Sequence, residues 1–277
     1  MKTVITAKLK LQTNAAQFQA LRATQLAYRD SLNYVSRYAY AHHNMSNTVA
    51  LQDATYDELR ARFHLPSQMA CSVPRQVGAT YKTLWTKVKQ NAALRKAGKT
   101  KKRYQGLDQP PTYASPTLTY QYKKDYSFKR DRQVSILTLS GRVIVPYAGY
   151  HEHVALIARS ARLGAAKLWY DQPKKQFYLL VSLEVEVADP TPETQTGVAG
   201  VDVGVRYLAV TATTRGDRSF HAGKGVVAKA NHYARLRKRL QQKGTRAATR
   251  RLMVLAGRER RLKADANHVV SKRIVTR

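Results

Sequence analysis

The chain opens on strict alternation. Over residues 3–11, Ile5, Ala7, Leu9 and Leu11 fall on one side and Thr6, Lys8 and Lys10 on the other, the period of a half-buried strand. Thr13 and Asn14 supply helix-capping side chains. After them Phe18, Leu21, Tyr28, Leu32, Val35 and Ala39 recur at intervals of three, four or seven, which predicts a long amphipathic helix. The polar string 42–47 (HHNMSN) ends it. A short helix is expected around 54–63 and a longer one from about 66 to 96, interrupted or kinked near Pro74.

Beyond Gly106, Pro110, Pro111 and Pro116 the apolar period drops to two. Strands are predicted over 117–122, 134–139 and 142–145, with Ser140-Gly141 as a tight hairpin turn. The β pattern continues through 153–163, 166–171 and 176–187, with 172–175 (QPKK) as a further turn. The Pro/Thr-rich stretch 188–197 carries no apolar periodicity and reads as a domain linker. A compact module follows: strands over 198–205, 207–213 and 218–222, a turn at Arg215-Gly216-Asp217, then helices over about 227–242 and 245–275.

Composition changes what this α+β pattern is for. Lys and Arg number 49 against 17 acids, a net charge of +32 over 277 residues, which would repel itself in a compact fold unless a polyanion shared the load. A hydrophobic fraction of 43% excludes a disordered basic tail, so the composition points to a folded nucleic-acid-binding protein. No run approaches the ~18 apolar residues of a membrane span, and the amino terminus lacks the continuous apolar core of a signal peptide, so no membrane partner and a cytoplasmic location are expected. The single cysteine, Cys71, excludes intrachain disulfides and a multi-cysteine zinc site, and reads as a small packing residue. His151 and His153 would share a strand face as weak metal-ligand candidates without a third ligand nearby.

The string GVAGVDVGVRYLAV (197–210) carries the most chemistry. On an extended strand Val201, Val203 and Val205 would point one way to pack a core, and Gly200, Asp202 and Gly204 the other. An acid flanked by glycines on its own face lets a phosphodiester or a hydrated metal approach closely. Asp202 on a solvated strand edge fits the same residues. So does the D-x-G phosphate loop of sugar kinases and actin-like ATPases, although in that class the motif stands near the start of a largely neutral chain.

GVDVGVRYLAV (201–210 with its preceding Gly200), the hairpin after it, the basic helices and NHVVSKRIV (267–275) resemble the TnpB/OrfB proteins of bacterial insertion sequences, RNA-guided endonucleases related to type V CRISPR effectors. TYKTLW (80–85) is similar to the end of that family's recognition helix, and 141–156 and 174–187 to strands of its wedge barrel. The resemblance implies a wedge-type β-barrel with an inserted helical recognition domain, followed by the first part of a RuvC/RNase H-like α/β domain. The implied divisions are 1–12 (wedge strand), 13–105 (recognition helices), 106–187 (wedge barrel), 188–197 (linker) and 198–277 (an incomplete RuvC-like part). It also implies a transposon-derived guide RNA, a double-stranded target DNA with a short adjacent motif, a monomer with RNA, and Mg²⁺ held first by Asp202. Two-metal cleavage needs several carboxylates, with metals about 4 Å apart. After Asp202 only Asp217, Glu259 and Asp265 remain, and the family's glutamate would be expected shortly beyond residue 277, so the chain reads as truncated and unable to cleave DNA by itself; a catalytically incomplete RNA/DNA-binding remnant, an RNA-guided regulator and a sequence-tolerant binder with no guide fit as alternatives.

The basic runs give the partner an address. Residues 82–103 hold nine Lys/Arg and no acid, and 227–277 hold sixteen against two acids. Lys82, Lys87, Lys89, Lys101, Lys102 and Arg103 in the first, and Arg235, Lys238, Arg239, Arg250, Arg251, Arg258 and Arg261 in the second, are candidates for phosphate contact along an A-form duplex or the RNA scaffold. Between the runs, Tyr104, Tyr113, Tyr120, Tyr122, Tyr126 and Phe128 interleave with Lys123, Lys124, Lys129 and Arg130. That alternation suits stacking on unpaired bases, and it equally suits strand residues packing a barrel. The helix containing Gln68, Ser72, Arg75 and Gln76 is similar to the family's reader of the short target-adjacent motif, and Gln68, Arg75 and Gln76 carry the side chains for bidentate base contact; a plain surface helix accounts for them as well.

Overall fold

The structure is a computed structural model that describes residues 1–114, 117–159, 162–189 and 197–276. Most of the expected linker, 190–196, therefore lies outside the described residues. The chain divides into two compact units, Met1–Ala188 and Asp189–Arg277.

The first unit is built on the opening strand. β1 (Lys2–Leu11) buries Ala7, Leu9 and Leu11 and turns its lysines outward, where Lys8 lies 4.3 Å from the ring centre of Tyr178. It is the central strand of a seven-stranded antiparallel sheet, ordered β2-β6-β7-β1-β5-β4-β3, that curls into a nearly closed barrel. The other strands are β2 (Leu118–Tyr120), β3 (Tyr126–Lys129), β4 (Gln133–Thr138), β5 (Gly141–Gly149), β6 (Arg162–Asp171) and β7 (Gln176–Glu186). β1 pairs with β7 along Lys2–Lys10 and with β5 through Leu9–Leu11. Since β1 and β2 belong to one sheet, the helices between them are an insertion into it.

Those helices are α1 (Ala15–Ala41), α2 (Thr48–Phe63) and α3 (Ser67–Lys96). Asn14 and Gln17 close a reciprocal capping box at the start of α1, whose buried stripe Leu21, Tyr28, Leu32, Val35 and Ala39 follows the expected spacing. α2 begins six residues before the expected start because the Asn47 side chain caps the amides of Val49 and Ala50. α3 runs through Pro74 without interruption. The proline forfeits one bond to the Ala70 carbonyl, and burial of Val73, Val77 and Tyr81 around it keeps the helix in place.

Two strand expectations are corrected. Residues 151–158 form a helix, α4 (His151–Ala158), and not the start of a strand. Val154, Ile157 and Ala158 satisfy the helical i, i+3, i+4 spacing, and a short apolar run fits either period. The helix also places His151 and His153 on different faces, with His151 Nε2 3.2 Å from Glu152, so they form no ligand pair. The hairpin turn is Leu139-Ser140, one residue earlier than expected: Thr138 pairs with Gly141, whose φ of +102° suits glycine alone.

One buried acid gives this unit a pH signature. Asp125 accepts a hydrogen bond at Oδ2 from the Gln121 amide (2.8 Å), while Oδ1 has no hydrogen-bond partner. Burial pushes its carboxyl pKa up, against the opposing pull of that amide, Arg142 and Lys124. A carboxyl raised on folding binds its proton more tightly in the folded state, so its contribution declines as pH climbs from its unfolded value through its folded one. Asp125→Asn is expected to remove that decline and to raise the neutral-pH melting temperature. Parallel melts at pH 4 and pH 8 check it; equal wild-type and variant pH profiles would rule it out.

The second unit holds a three-stranded antiparallel sheet, β10-β9-β8, made of β8 (Ala199–Asp202), β9 (Tyr207–Thr213) and β10 (Arg218–Ala222). A helical hairpin follows, α5 (Lys224–Lys243) and α6 (Arg246–Val275), turned at Gly244 with φ +63°. Thr245 caps α6 by accepting from the Ala248 amide at 3.2 Å.

Candidate nucleic-acid interface

Asp202 ends β8, paired opposite Val210 on an edge strand, and is exposed. A Cβ added at Gly200 would meet nothing closer than the Ala212 carbonyl oxygen at 3.9 Å, so that face is open to a bulky ligand. The valine face differs from expectation. Val201, Val203 and Val205 are 49%, 75% and 77% exposed and pack no core. The strand ends at Asp202, and among the described residues of this unit no layer covers that face of the edge strand.

The donors for a metal do not gather. Among the described residues no group of three His, Cys, Asp or Glu side chains lies close enough to hold an ion. Glu259 is already committed: it bonds Arg237 of α5 at 2.6 Å and Lys263 at 3.0 Å. The Lys263 hydrogen bond, with Arg237 adding to it, holds its carboxyl below the usual carboxylate range. It is a clasp between α5 and α6.

The expected cations are nearly all exposed and unpaired. Arg235, Lys238, Arg239, Arg250, Arg251, Arg258 and Arg261 lie on the hairpin surface, and none forms an ion pair with a described residue. The fold sorts them. Arg239, Arg251 and Arg258, joined by Lys243, line one groove between α5 and α6, about 840 Å³ in volume, with Leu236, Leu240 and Val254 also in its walls. The remaining four do not line it.

On α3, Lys82 and Lys89 are seven residues apart and share a side with Lys96, while Lys87 faces elsewhere. Lys101, Lys102 and Arg103 follow on a loop that folds back onto the helix. Asn91 holds it there, donating to the Lys102 carbonyl (3.1 Å) and accepting from the Tyr104 amide (2.9 Å). Arg103 is spent on Asp108, the one ion pair of the run among the described residues. Tyr104 is half-buried beside Trp85 and Leu107.

The Gln/Arg face of α3 is partly turned inward. Ser72 is buried, Gln76 accepts from the Tyr28 hydroxyl at 3.3 Å, and Gln68 is half-buried. Of the four, only Arg75 is exposed. The aromatic–basic stretch also divides. Tyr120 and Tyr126 are fully buried barrel residues, whereas Tyr122 and Phe128 are half-buried and Lys123 and Lys124 exposed. Arg132 and Arg162, which the sequence pattern did not group with them, come to the same end of the barrel; the only signal was the Arg-Asp-Arg string in the β3–β4 turn.

Among the described residues no helix is long and apolar enough to cross a membrane. No curated protein matches the chain. Among solved structures, it aligns over 92% of its length with 60% of a chain in the cryo-EM structure of a CRISPR-Cas12f ternary complex, at 11% identity and a TM-score of 0.41. It aligns over 89% with 58% of a chain in the cryo-EM structure of a Cas12f1-sgRNA-target DNA complex, at 11% identity and a TM-score of 0.49. The chain thus spans about three fifths of the length of these two. Over residues 181–277, which include the Asp202 hairpin and both basic helices, the chain matches the OrfB_IS605 family, described as a probable transposase.

Proposed function

We propose that this protein binds nucleic acid in the manner of the TnpB proteins: a guide RNA together with a target DNA bearing a short adjacent motif. One observation carries the reading. Arg239, Lys243, Arg251 and Arg258 converge on a single groove of the α5–α6 hairpin without any ion pair among the described residues, inside the segment that matches the transposase family. Converging cations without counter-charges repel one another and are stabilised by a polyanion. Such contacts grip a phosphate backbone and read its shape, leaving sequence to base pairing with a guide. The wedge and recognition divisions of the first unit, and the RuvC-like nature of the second, belong to the same proposal.

Mg²⁺ would be held first by Asp202. The residues present do not fit a two-metal centre: among the described residues no group of three donors gathers, and Glu259 is occupied by Arg237 and Lys263. Binding without cleavage is therefore the activity proposed for these 277 residues. The purified chain is expected to retain one discrete structured RNA species, identified by sequencing, and to leave matched DNA uncut when Mg²⁺ is added. A heterogeneous RNA mixture would refute guide binding, and Mg²⁺-dependent cuts would refute the binding-only reading.

A further inference from the structure

A cavity of about 1340 Å³ opens at one end of the barrel in the first unit, between the β3–β4 turn, β5 and α4. Its walls include three aromatic rings, Tyr122, Phe128 and Tyr147. Phe128 and Tyr147 stand edge to face at 5.2 Å, so Phe128 is fixed from behind while remaining half-exposed toward the opening. Tyr122 lies against the tilted ring of Tyr126, 5.4 Å between centroids. Lys123, Lys129, Arg130 and Arg132 also line the cavity, all exposed and none in an ion pair with a described residue. The one acid lining it is Asp131, likewise unpaired. Arg162, also at the wall, is occupied by Glu184 at 3.6 Å.

The backbone of this rim is strained. Lys123, Asp131 and Arg132 have φ of 64°, 57° and 53°, the left-handed region that side-chain-bearing residues seldom enter. Strain of this kind gathers at ligand clamps, where the fold holds a side chain in an otherwise unfavourable position. Rigid rings flanked by unpaired cations match a ligand with a flat apolar face and a phosphate next to it. The cavity exceeds the roughly 300–1,000 Å³ of ordinary small-molecule sites and leaves room for a base with its sugar and flanking phosphates.

We propose that this barrel-end cavity holds one unpaired nucleotide of a bound strand, its base stacked on Tyr122 and Phe128 and its phosphates on Lys129, Arg130 and Arg132. The proposal rests on nucleic acid being the partner, and it adds a single-strand site apart from the helical groove. A duplex does not present a free base face and is excluded from the stack.

The test is photocrosslinking of the full chain with 5-iodouracil-bearing pentamers, as RNA and as DNA, mapped by mass spectrometry. Crosslinks are expected at Tyr122 or Phe128, and Tyr122→Leu, which keeps an apolar side chain there, should lower their yield about tenfold while circular dichroism shows the barrel still folded. Arg130→Glu with Arg132→Glu should lower it at least as much while crosslinks along α5 and α6 persist. Crosslinks from the RNA pentamer alone identify the source as RNA; equal yields from both assign the pocket to either strand. Crosslinks confined to α5 and α6, or a yield unchanged by Tyr122→Leu, would overturn the pocket. In that event a discrete copurifying RNA leaves the guide-binding proposal standing, whereas a chain that retains no RNA loses both.

Discussion

RNA affinity is expected to fall about a thousandfold or more between 50 and 200 mM salt. Phosphate contacts release condensed counterions, so log K falls linearly with log salt by about 0.7 to 0.9 per phosphate neutralised, and six to ten contacts give a loss of that size. The hairpin groove and the α3 run together offer more than enough free cations for six contacts. Removing three of them, with Arg239→Ala, Arg251→Ala and Arg258→Ala, should flatten the slope by about two to three units. Arg237→Ala is the informative control. Its guanidinium is tied to Glu259, so it should loosen the helical hairpin and leave the slope nearly unchanged. Fluorescence anisotropy across a salt series decides the matter; a flat plot, or equal slope changes for all four positions, would contradict this assignment.

Leu9→Ala should cost about 2–5 kcal/mol, a large part of the 5–15 kcal/mol that holds an ordinary domain together. Leu9 is fully buried where β1 is paired on both sides, opposite Leu179 of β7 and Gly149 of β5. A Cβ on Gly149 would come within 2.8 Å of the Leu9 side chain, so the two positions are fitted to one another. The strands on either side are held by their own hydrogen bonds and cannot collapse into the space a truncation leaves. Ile5→Ala, half-buried on the same strand, should cost markedly less. Urea unfolding followed by circular dichroism reports both. Equal costs at the two positions would mean that β1 is not the centre of the sheet.

Where the sequence pattern has a single period, it specifies the element. β1, α1, β9 and β10 fall where alternation or the three-to-four spacing puts them, because Ala7–Leu11 and Leu21–Ala39 have one way each to bury their apolar side. The eight residues of α4 satisfy two periods, and packing of Ile157 into the barrel decides between them. Alternation at Val201, Val203 and Val205 shows that a face is apolar; it carries no information on whether a second layer lies over that face. The cations were legible as a charge excess and not as a site. Arg239 and Arg258 are nineteen residues apart, and only the turn at Gly244 brings their helices together. Arg132 reaches the aromatic pocket through a turn geometry that no residue-by-residue propensity favours.

The uncovered valines at and just beyond β8, Val201, Val203 and Val205, set how the protein behaves in a tube. An exposed apolar edge strand is a template for pairing with another chain, and Phe220 adds a large exposed ring on the opposite edge strand of the same small sheet. What opposes self-association is the charge: copies at +32 repel one another at low ionic strength, and salt shortens the reach of that repulsion from about 30 Å at 0.01 M to about 3 Å at 1 M. The salt that would strip RNA from the proposed basic groove would therefore also remove the barrier between sticky edges. The bare protein is a colloid held apart by its own charge, and it should be most prone to precipitate when cleaned of nucleic acid in high salt.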